Sequence, residues 1–321
     1  MDWHGRKILV TGGAGFLGSN LCHALAARGA RVTALDGFLF GGGANPANLE
    51  GSGVELVRAD IREIDLRNLC EGADVIYNLA AQTSHMGGQR DPLADIAVNA
   101  VAQVRLIQAA REAAPGAIVV HASTRQFYGR PHYLPVDEEH PVNPPDANGV
   151  SKFAGEQYWM IEHRTAGRPV VSLRLTNCYG PRLRIRDARQ TFLGIWLRCA
   201  LEGKPFEVWG GEQLRDMTYV DDVTAAFLAA AAPACHGRVF NIGGPPPASL
   251  LDIAQMLARQ VPGAQFVTRA FPAERATIDI GSYHANDTAF REATGWAPLV
   301  GLEEGIGRSL EWYRTRLGQY L

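Results

Sequence analysis

The segment 10-VTGGAGFLGS-19 limits the fold of this chain more than any other stretch. An apolar run from Arg6 to Val10 leads directly into it, and a helical pattern follows from Ser19 to Arg28. Its three glycines are Gly12, Gly15 and Gly18. The first permits a tight turn, the second lets backbone approach a pyrophosphate, and the third lets the helix pack on the strand, with the helix N-terminus facing the anion. The segment therefore predicts a dinucleotide-binding loop.

The rest of the first half alternates short apolar runs with helical patterns, which is typical of a parallel sheet with helical crossovers. We expect an α/β fold with a Rossmann-type doubly wound parallel sheet and a smaller substrate-binding lobe. From Thr176 the sequence becomes richer in Pro, Gly, Arg and Trp. We therefore assign residues 1–175 to the dinucleotide-binding domain, with a return of the chain to it around 215–243, and residues 176–321 mainly to the second lobe.

The acid at the end of the second predicted strand, Asp36, selects the dinucleotide. Its carboxylate is placed to accept hydrogen bonds from a ribose diol and would repel a 2′-phosphate. Gly37 follows it, and no arginine stands close behind. We therefore expect NAD rather than NADP.

Charge and cysteine content narrow the function classes. Lys and Arg total 31 against 33 Asp and Glu, a formal charge of −2, which is too balanced for a nucleic-acid surface. Five scattered cysteines lack the spacing of a zinc site, so no metal is expected and a reducing cytoplasm fits. The sequence shows no leader pattern and no run of about 18 apolar residues. We therefore expect a cytoplasmic protein that acts on a small molecule and has no membrane partner.

Several further motifs occur in a characteristic order. They are 78-NLAAQTS-84, Asn99, 123-STRQFYG-129, Ser151-Lys152, 174-RLTNCYGP-181, 215-RDMTYVDDV-223 and 295-GWAP-298. With the glycine loop, they resemble the extended short-chain dehydrogenase/reductases of the NAD-dependent sugar-nucleotide epimerase and dehydratase group. The resemblance covers nearly the whole chain and implies a UDP-sugar or related nucleotide sugar as substrate.

The resemblance also implies residue roles. Lys152 would hold the nicotinamide ribose, and Thr124 would hydrogen-bond the sugar hydroxyl that is oxidised. The cofactor-binding residues implied are Gly12, Gly15, Phe16, Leu17, Gly18, Asp36, Asp60, Ile61, Leu79, Ala80, Ala81, Asn99 and Lys152. The substrate-binding residues implied are Thr83, Arg125, Gln126, Asn177, Trp209, Arg215 and Arg275, of which the last two would grip the diphosphate and Trp209 would stack on the base.

Two departures from the family pattern concern proton transfer. The family has a catalytic tyrosine four residues before the lysine, but here Asn148 occupies that position after an apparent insertion of Pro145-Asp146-Ala147. An amide cannot take a proton from a hydroxyl. The 4,6-dehydratases carry an Asp-Glu pair directly after the Ser or Thr, and here Arg125 and Gln126 stand there instead.

Three interpretations follow. A relocated residue could supply the base, with Tyr128 as the first candidate and Tyr133 and His85 behind it. Asn148 could instead order a water that transfers the proton. A third interpretation is a catalytically silent relative that senses or scaffolds through NAD, but the retained Thr124 and diphosphate-binding residues favour an active enzyme.

The resemblance leaves the reaction open between two outcomes after oxidation at C4. The combination of 123-STRQFYG-129 with 148-NGVSK-152 is most similar to the UDP-N-acetylhexosamine 5,6-dehydratases of tunicamycin biosynthesis, which implies UDP-N-acetylglucosamine as substrate. We therefore expect a dehydratase, with a UDP-hexose 4-epimerase as the alternative. Relatives commonly pair through two helices that correspond here to about 91–114 and 151–165, so a homodimer is expected.

Overall fold

A parallel sheet forms the centre of the protein, whose computed structural model describes residues 1–39, 42–187, 191–273 and 279–321. The strands are β1 (Lys7–Thr11), β2 (Arg31–Asp36), β3 (Glu55–Arg58), β4 (Val75–Asn78), β5 (Ile118–Thr124), β6 (Val170–Leu175), β7 (Asn177–Tyr179), β8 (Phe206–Trp209), β9 (Leu214–Arg215), β10 (Met217–Tyr219), β11 (Arg238–Ile242), β12 (Ala248–Ser249) and β13 (Phe266–Arg269). The helices are α1 (Phe16–Ala26), α2 (Arg67–Cys70), α3 (His85–Arg90), α4 (Pro92–Ile96), α5 (Ala102–Ala113), α6 (Ala147–Ala166), α7 (Phe192–Leu201), α8 (Val220–Ala230), α9 (Leu250–Gln260), α10 (Thr288–Thr294) and α11 (Leu302–Arg314), with a π-helical turn at Ala97–Val101.

The order of the strands explains where a ligand can bind. The seven-stranded sheet runs β11-β6-β5-β4-β1-β2-β3, and every neighbouring pair is parallel. The chain builds outward from β1 to β3 and then resumes at β4 on the other side of β1. Such a switch point opens a crevice at the carboxyl ends of the strands. The predicted Rossmann-type fold is confirmed.

Alternating side chains of β1 pack against helices on both faces of the sheet. Ile8 and Val10 join the core that includes Leu21 of α1 and Phe227 of α8. Leu9 points the other way, into a core that includes Trp159 of α6. This period of two is what a strand covered on both faces requires. The glycine loop therefore follows a strand that is held firmly from both sides.

The second half of the chain forms a further core over the carboxyl edge. It takes buried side chains from α7, α9 and α11, and three two-stranded pairs, β10-β7, β12-β9 and β13-β8, accompany it. One strand of this half, β11, lies at the edge of the main sheet beside β6. Whether the chain divides into two domains near residue 175 stays a prediction. No helix in the described part of the chain is long and apolar enough to cross a membrane.

Helix α6 begins earlier than the pattern from Ser151 predicts. Asp146 caps it, because its Oδ1 accepts the backbone N–H of Gly149 at 2.7 Å, and the helix ends at Gly167 in a left-handed conformation. An aspartate cap satisfies an N–H that has no partner within the helix. As a result Asn148 lies in the first turn of α6, and Lys152 lies one turn further along.

Candidate active site

A single pocket lies at the carboxyl edge of the sheet, where β1, β4, β5 and β6 end. Of the residues predicted to bind cofactor, substrate or protons, those that line it are Gly12, Gly15, Phe16, Leu17, Gly18, Asp36, Asp60, Ile61, Leu79, Ala80, Ala81, Thr83, His85, Thr124, Arg125, Gln126, Asn148, Lys152 and Asn177. These residues come from seven separate parts of the chain. The switch point of the sheet brings them together.

The glycine loop has the geometry that a bound pyrophosphate requires. Gly12 has a φ of +69°, a left-handed conformation that favours glycine. A Cβ on Gly18 would overlap the carbonyl oxygen of Gly12, so the first turn of α1 can lie against the loop only without a side chain there. Gly15 is the N-cap of α1 and has no side chain that would shield the N-terminus of the helix. The cradle therefore fits a dinucleotide phosphate.

Asp36 is fixed at the end of β2 by backbone donors. Its Oδ2 accepts the N–H of Ala14 at 3.1 Å, and its Oδ1 accepts the N–H of Phe38 at 3.0 Å. Burial raises the pKa of this carboxyl, and the backbone hydrogen bonds partly offset that shift. Each oxygen keeps a free lone pair for a ribose hydroxyl. Asp60 also lines the pocket, but its carboxylate is paired with Arg62.

Thr124 and Lys152 offer free donors to the pocket. Thr124 Oγ1 accepts the backbone N–H of Gln126 at 3.1 Å, which leaves its own hydrogen for a substrate oxygen. The Nζ of Lys152 donates no hydrogen bond to any residue that the structure describes. Desolvation by burial lowers the pKa of Lys152 to about 8, although the charge of Asp95 opposes the shift. Burial of this ammonium group costs desolvation free energy, and no described residue accepts a hydrogen bond from it in return. Such a group is suited to binding a ligand.

Asn148 lines the pocket but holds its surroundings together through its amide. Its Nδ2 donates to the carbonyl of Gln82 at 3.0 Å and to Asp95 Oδ2 at 2.9 Å. Only 1% of the residue is exposed. Both hydrogens of the amide are therefore occupied, and the side chain ties α6 to the segment that precedes α3.

Tyr128, the first candidate for a relocated base, does not line the pocket. Its hydroxyl is buried, donates to Asn241 Oδ1 at 2.9 Å and accepts from Arg174 Nη1 at 2.6 Å. Burial raises its pKa to about 12 even though the charge of Arg174 opposes the shift. A short 3-10 turn, Gln126–Tyr128, directs the ring back into the protein. The assignment of Tyr128 as the base is therefore corrected, since its hydroxyl is not accessible to a substrate.

The other two candidate bases, Tyr133 and His85, differ in their position relative to the pocket. Tyr133 is exposed outside the pocket, and its hydroxyl donates to Asp137 at 2.7 Å. His85 lines the pocket, and its Nδ1 lies 2.9 Å from Oδ2 of Asp146. The Asp146 carboxylate is not evident as a functional group from the sequence, because 61 residues separate it from His85 and no local spacing links them.

Arg125 extends the polar lining on the substrate side. Its Nη2 donates to Asn177 Oδ1 at 2.6 Å, and its guanidinium lies over the ring of Tyr283, 4.7 Å from the centroid. Its Nη1 is buried and finds no partner among the described residues. Nearby Asp216 is buried with one oxygen unpartnered, and burial raises its pKa to about 7. A substrate oxygen would satisfy the open donor of Arg125.

Three of the described residues that were predicted to bind cofactor or substrate do not line the pocket. Asn99 lies behind it, where its side chain bonds both the N–H and the carbonyl of Gln82, so it positions that backbone rather than lining the site. Trp209 lies on β8, where its Nε1 donates to Glu207, and Arg215 donates to backbone carbonyls and faces Asp279 at 3.5 Å. Arg275 lies outside the described residues. Within the described ranges, no group of three His, Cys, Asp or Glu side chains could hold a metal ion.

Comparison with known proteins agrees with this geometry. The profile of the NAD dependent epimerase/dehydratase family matches residues 8–243. A UDP-glucose 4-epimerase of Mycolicibacterium smegmatis is 35% identical over 314 residues, covering 97% of this chain and 99% of the relative. A dTDP-glucose 4,6-dehydratase of Streptomyces niveus is 30% identical, covering 96% and 93%. The crystal structure of a UDP-glucose 4-epimerase from Thermotoga maritima with UDP-glucose superimposes with a TM-score of 0.87 at 27% identity, covering 97% and 99%. The chain belongs to the NAD-dependent epimerase/dehydratase family.

Proposed function

We propose that the protein is a 4-epimerase of a UDP-hexose or UDP-N-acetylhexosamine. The observation that carries the proposal is the identity of the two residues after Thr124. Arg125 and Gln126 stand where a 4,6-dehydratase has its acid and base, and neither side chain exchanges a proton near neutral pH. Loss of the C6 hydroxyl needs both a base at C5 and an acid at C6, whereas epimerisation needs only oxidation and reduction at C4. The 35% identity to a UDP-glucose 4-epimerase supports the same conclusion.

Different residues of the pocket would bind the cofactor and orient the substrate in such a reaction. NAD, when bound, accepts a hydride from C4 and returns it. Gly12, Gly15 and Gly18 would hold its phosphates, Asp36 its adenosine ribose and Lys152 its nicotinamide ribose. Thr124 would donate its free hydrogen to O4 of the sugar and so fix the orientation of the reacting carbon.

A UDP-N-acetylglucosamine 5,6-dehydratase is the second candidate, and Arg125 is the observation in its favour. The buried Nη1 of Arg125 lacks a partner among the described residues and sits next to Thr124. A charged donor at this place could bind the hydroxyl that leaves C6. Reduction at C4 would then leave a double bond between C5 and C6.

Mass spectrometry and chromatography of the products separate these functions. We expect that incubation with NAD and UDP-glucose or UDP-N-acetylglucosamine yields a C4 epimer of unchanged mass, without deuterium at C5 in heavy water. A product lighter by one water would establish the dehydratase instead. If neither sugar nucleotide is bound or turned over, both functions are refuted and the silent NAD-binding interpretation gains support.

We also propose that the protein is a cytoplasmic homodimer. Large apolar side chains are exposed along one side of the molecule, on α4, the following π-turn and α6: Leu93, Ile96, Val101, Val150, Tyr158 and Ile161. These are the helices through which a dimer was expected, and pairing them would remove this surface from water. The five cysteines are all unpaired, which suits a reducing compartment.

Substitutions on this surface test the dimer. Ile161→Glu combined with Val101→Glu is expected to convert a dimer into a monomer in light scattering, because charges would be desolvated at the interface. Leu299, 86% exposed on another surface, supplies the control. The Leu299→Glu variant should keep the wild-type mass. A wild-type protein that is monomeric at all concentrations would contradict the proposal.

A further inference from the structure

His85 and Asp146 form a hydrogen-bonded pair at the edge of the pocket. We propose that His85, oriented by Asp146, is the group that takes the proton of the substrate hydroxyl and returns it, in place of the tyrosine that Asn148 has replaced. This inference rests on the proposed chemistry at C4. Its two residues are the first residue of α3 and the N-cap of α6.

The surroundings of Asp146 keep it ionised. It is buried, which by itself raises its pKa, but hydrogen bonds from His85, Gly149 and Gln126 outweigh burial, and its pKa falls below the ordinary value. Oδ2 accepts from His85 Nδ1 at 2.9 Å and from Gln126 Nε2 at 3.1 Å, while Oδ1 caps α6. An ionised carboxylate can only accept hydrogen bonds.

The carboxylate therefore decides which tautomer His85 adopts. Since Asp146 Oδ2 accepts, Nδ1 of His85 must carry the hydrogen that lies between them. In the neutral ring the lone pair is then on Nε2. The side chain of His85 is 40% exposed and lines the same pocket as Thr124 and Lys152. This is the tautomer that a general base needs, on a residue that lines the pocket.

A network of side chains holds the segment that carries His85. The carbonyl of Gln82 accepts from Asn148 Nδ2 at 3.0 Å and from Asn99 Nδ2 at 3.1 Å. The Oγ of Ser84 accepts the N–H of Gly87 and so caps α3. Asn148 is thus a positioning residue, because its hydrogen bond to Gln82 fixes the segment that carries His85.

The proton balance is simple. As the C4 hydrogen departs with its electron pair to the oxidised nicotinamide, the O4–H bond breaks and its electrons form the C=O bond. The proton passes to Nε2 of His85, and the imidazolium is stabilised by the Asp146 carboxylate. When hydride returns to C4, O4 takes the proton back and the ring is neutral again.

The central test replaces the imidazole. His85→Gln is expected to lower turnover by about 10² to 10⁴-fold, while the dissociation constants of NAD and of the UDP-sugar stay unchanged. Helices α4 and α6 pack against α3. The charged groups at or near their N-termini are Asp91 and Asp95, and Asp146 and Lys152, and His85→Gln alters none of them. Added imidazole should restore part of the activity of His85→Gly.

A second substitution tests the orientation of the ring. In Asp146→Asn the retained Oδ1 can still cap α6, but an N–H now faces Nδ1 and forces the hydrogen onto Nε2. The corresponding change in a Ser-His-Asp triad costs roughly 10⁴-fold in kcat for this reason. We expect a loss of similar order with intact cofactor binding. His132→Gln, at an exposed histidine outside the pocket, is the matched control and should keep wild-type turnover.

Two outcomes overturn the inference without affecting the proposed function. One is wild-type turnover in His85→Gln, and the other is a nitrogen NMR spectrum in which neutral His85 carries its hydrogen on Nε2. The spectrum needs no substrate, so it tests the pair even if the sugar nucleotide is wrong. An inactive wild-type enzyme that does not bind any UDP-sugar overturns the proposed function and the role of His85 together.

Discussion

A Lys152→Met variant is expected to lose turnover and to gain stability. Lys152 is the cation that would hold the nicotinamide ribose, and its Nζ has no hydrogen-bond partner among the described residues. Without it the cofactor would no longer be fixed against the sugar, and such a loss of positioning costs at least about 10²-fold in rate. The pocket would keep its shape, since no described side chain depends on Nζ for a hydrogen bond.

The gain in stability follows from the lowered pKa of Lys152. Desolvation lowers it from 10.5 to about 8, so below pH 8 the folded protein carries a charge that the unfolded chain accommodates more readily. One unit of pKa corresponds to about 1.4 kcal/mol, and the partial exposure of Lys152 to the pocket reduces the cost to about 1–3 kcal/mol. As the pH rises from about 8 to 10.5, the unfolded chain binds more protons than the folded protein. The free energy of unfolding of the wild type therefore increases over this range, and the stability advantage of the variant becomes smaller.

Urea denaturation without added ligand, at pH 7 and at pH 9.5, measures this advantage. Lys204→Met is the matched control, because Lys204 is exposed and, among the described residues, its ammonium group pairs with Glu202 alone. It should leave turnover unchanged. A Lys152→Met protein that turns over at the wild-type rate, or unfolds at lower urea than wild type at pH 7, would contradict the role given to Lys152.

Glu156→Gln should destabilise the protein by about 3–5 kcal/mol, the cost of leaving a buried charge without its partner. Glu156 is fully buried on α6, and its two oxygens accept Nη2 and Nε of Arg174 on β6 at 2.6 and 3.1 Å. Burial lowers the pKa of Arg174, but the hydrogen bonds and charge of Glu156 outweigh it, so the pKa rises and the guanidinium stays charged. A neutral amide at 156 would leave that charge uncompensated.

Thermal and urea unfolding measure this effect. Glu112→Gln, which removes an exposed carboxylate 3.8 Å from Arg67, should change stability by less than about 1 kcal/mol. Replacing both buried partners, in Glu156→Met with Arg174→Met, should cost less than Glu156→Gln alone, because no charge is then left unpaired. Equal effects of the buried and the exposed substitution would show that the pair does not tie α6 to the sheet.

The parts of the site that the sequence predicts well are those whose chemistry is local. The glycines, Asp36, Thr124 and Lys152 each stand at the end of a strand or in the first turns of a helix, where the fold itself determines direction. Parallel strands deliver such residues to one edge of the sheet, and the structure places all of them at the pocket.

The features that the sequence did not reveal depend on the direction of a side chain within irregular backbone or on partners that are far apart in the chain. Tyr128 is four residues beyond Thr124, but the intervening 3-10 turn sends its ring into the core. Asn99 faces Gln82 because the π-turn at Ala97–Val101 adds a residue to the helical path. The pairing of His85 with Asp146 arises only when α3 packs on α6, which no spacing in the sequence reveals.

The hydrogen bonds in the first turn of α6 bear on whether a tyrosine could be accommodated at position 148. A tyrosine introduced at 148 would displace the amide that anchors Gln82 and would leave Asp95 Oδ2 without the donor it now shares with Asn148. Gly88 also packs against this position: a Cβ built on Gly88 would lie 3.3 Å from the Cβ of Asn148 and 2.6 Å from Oδ2 of Asp95, so there is little free space between them. A single substitution at 148 would therefore remove two hydrogen bonds without providing space for a phenol. Further changes at Gln82 and Asp95 would be needed before the first turn of α6 could hold a tyrosine.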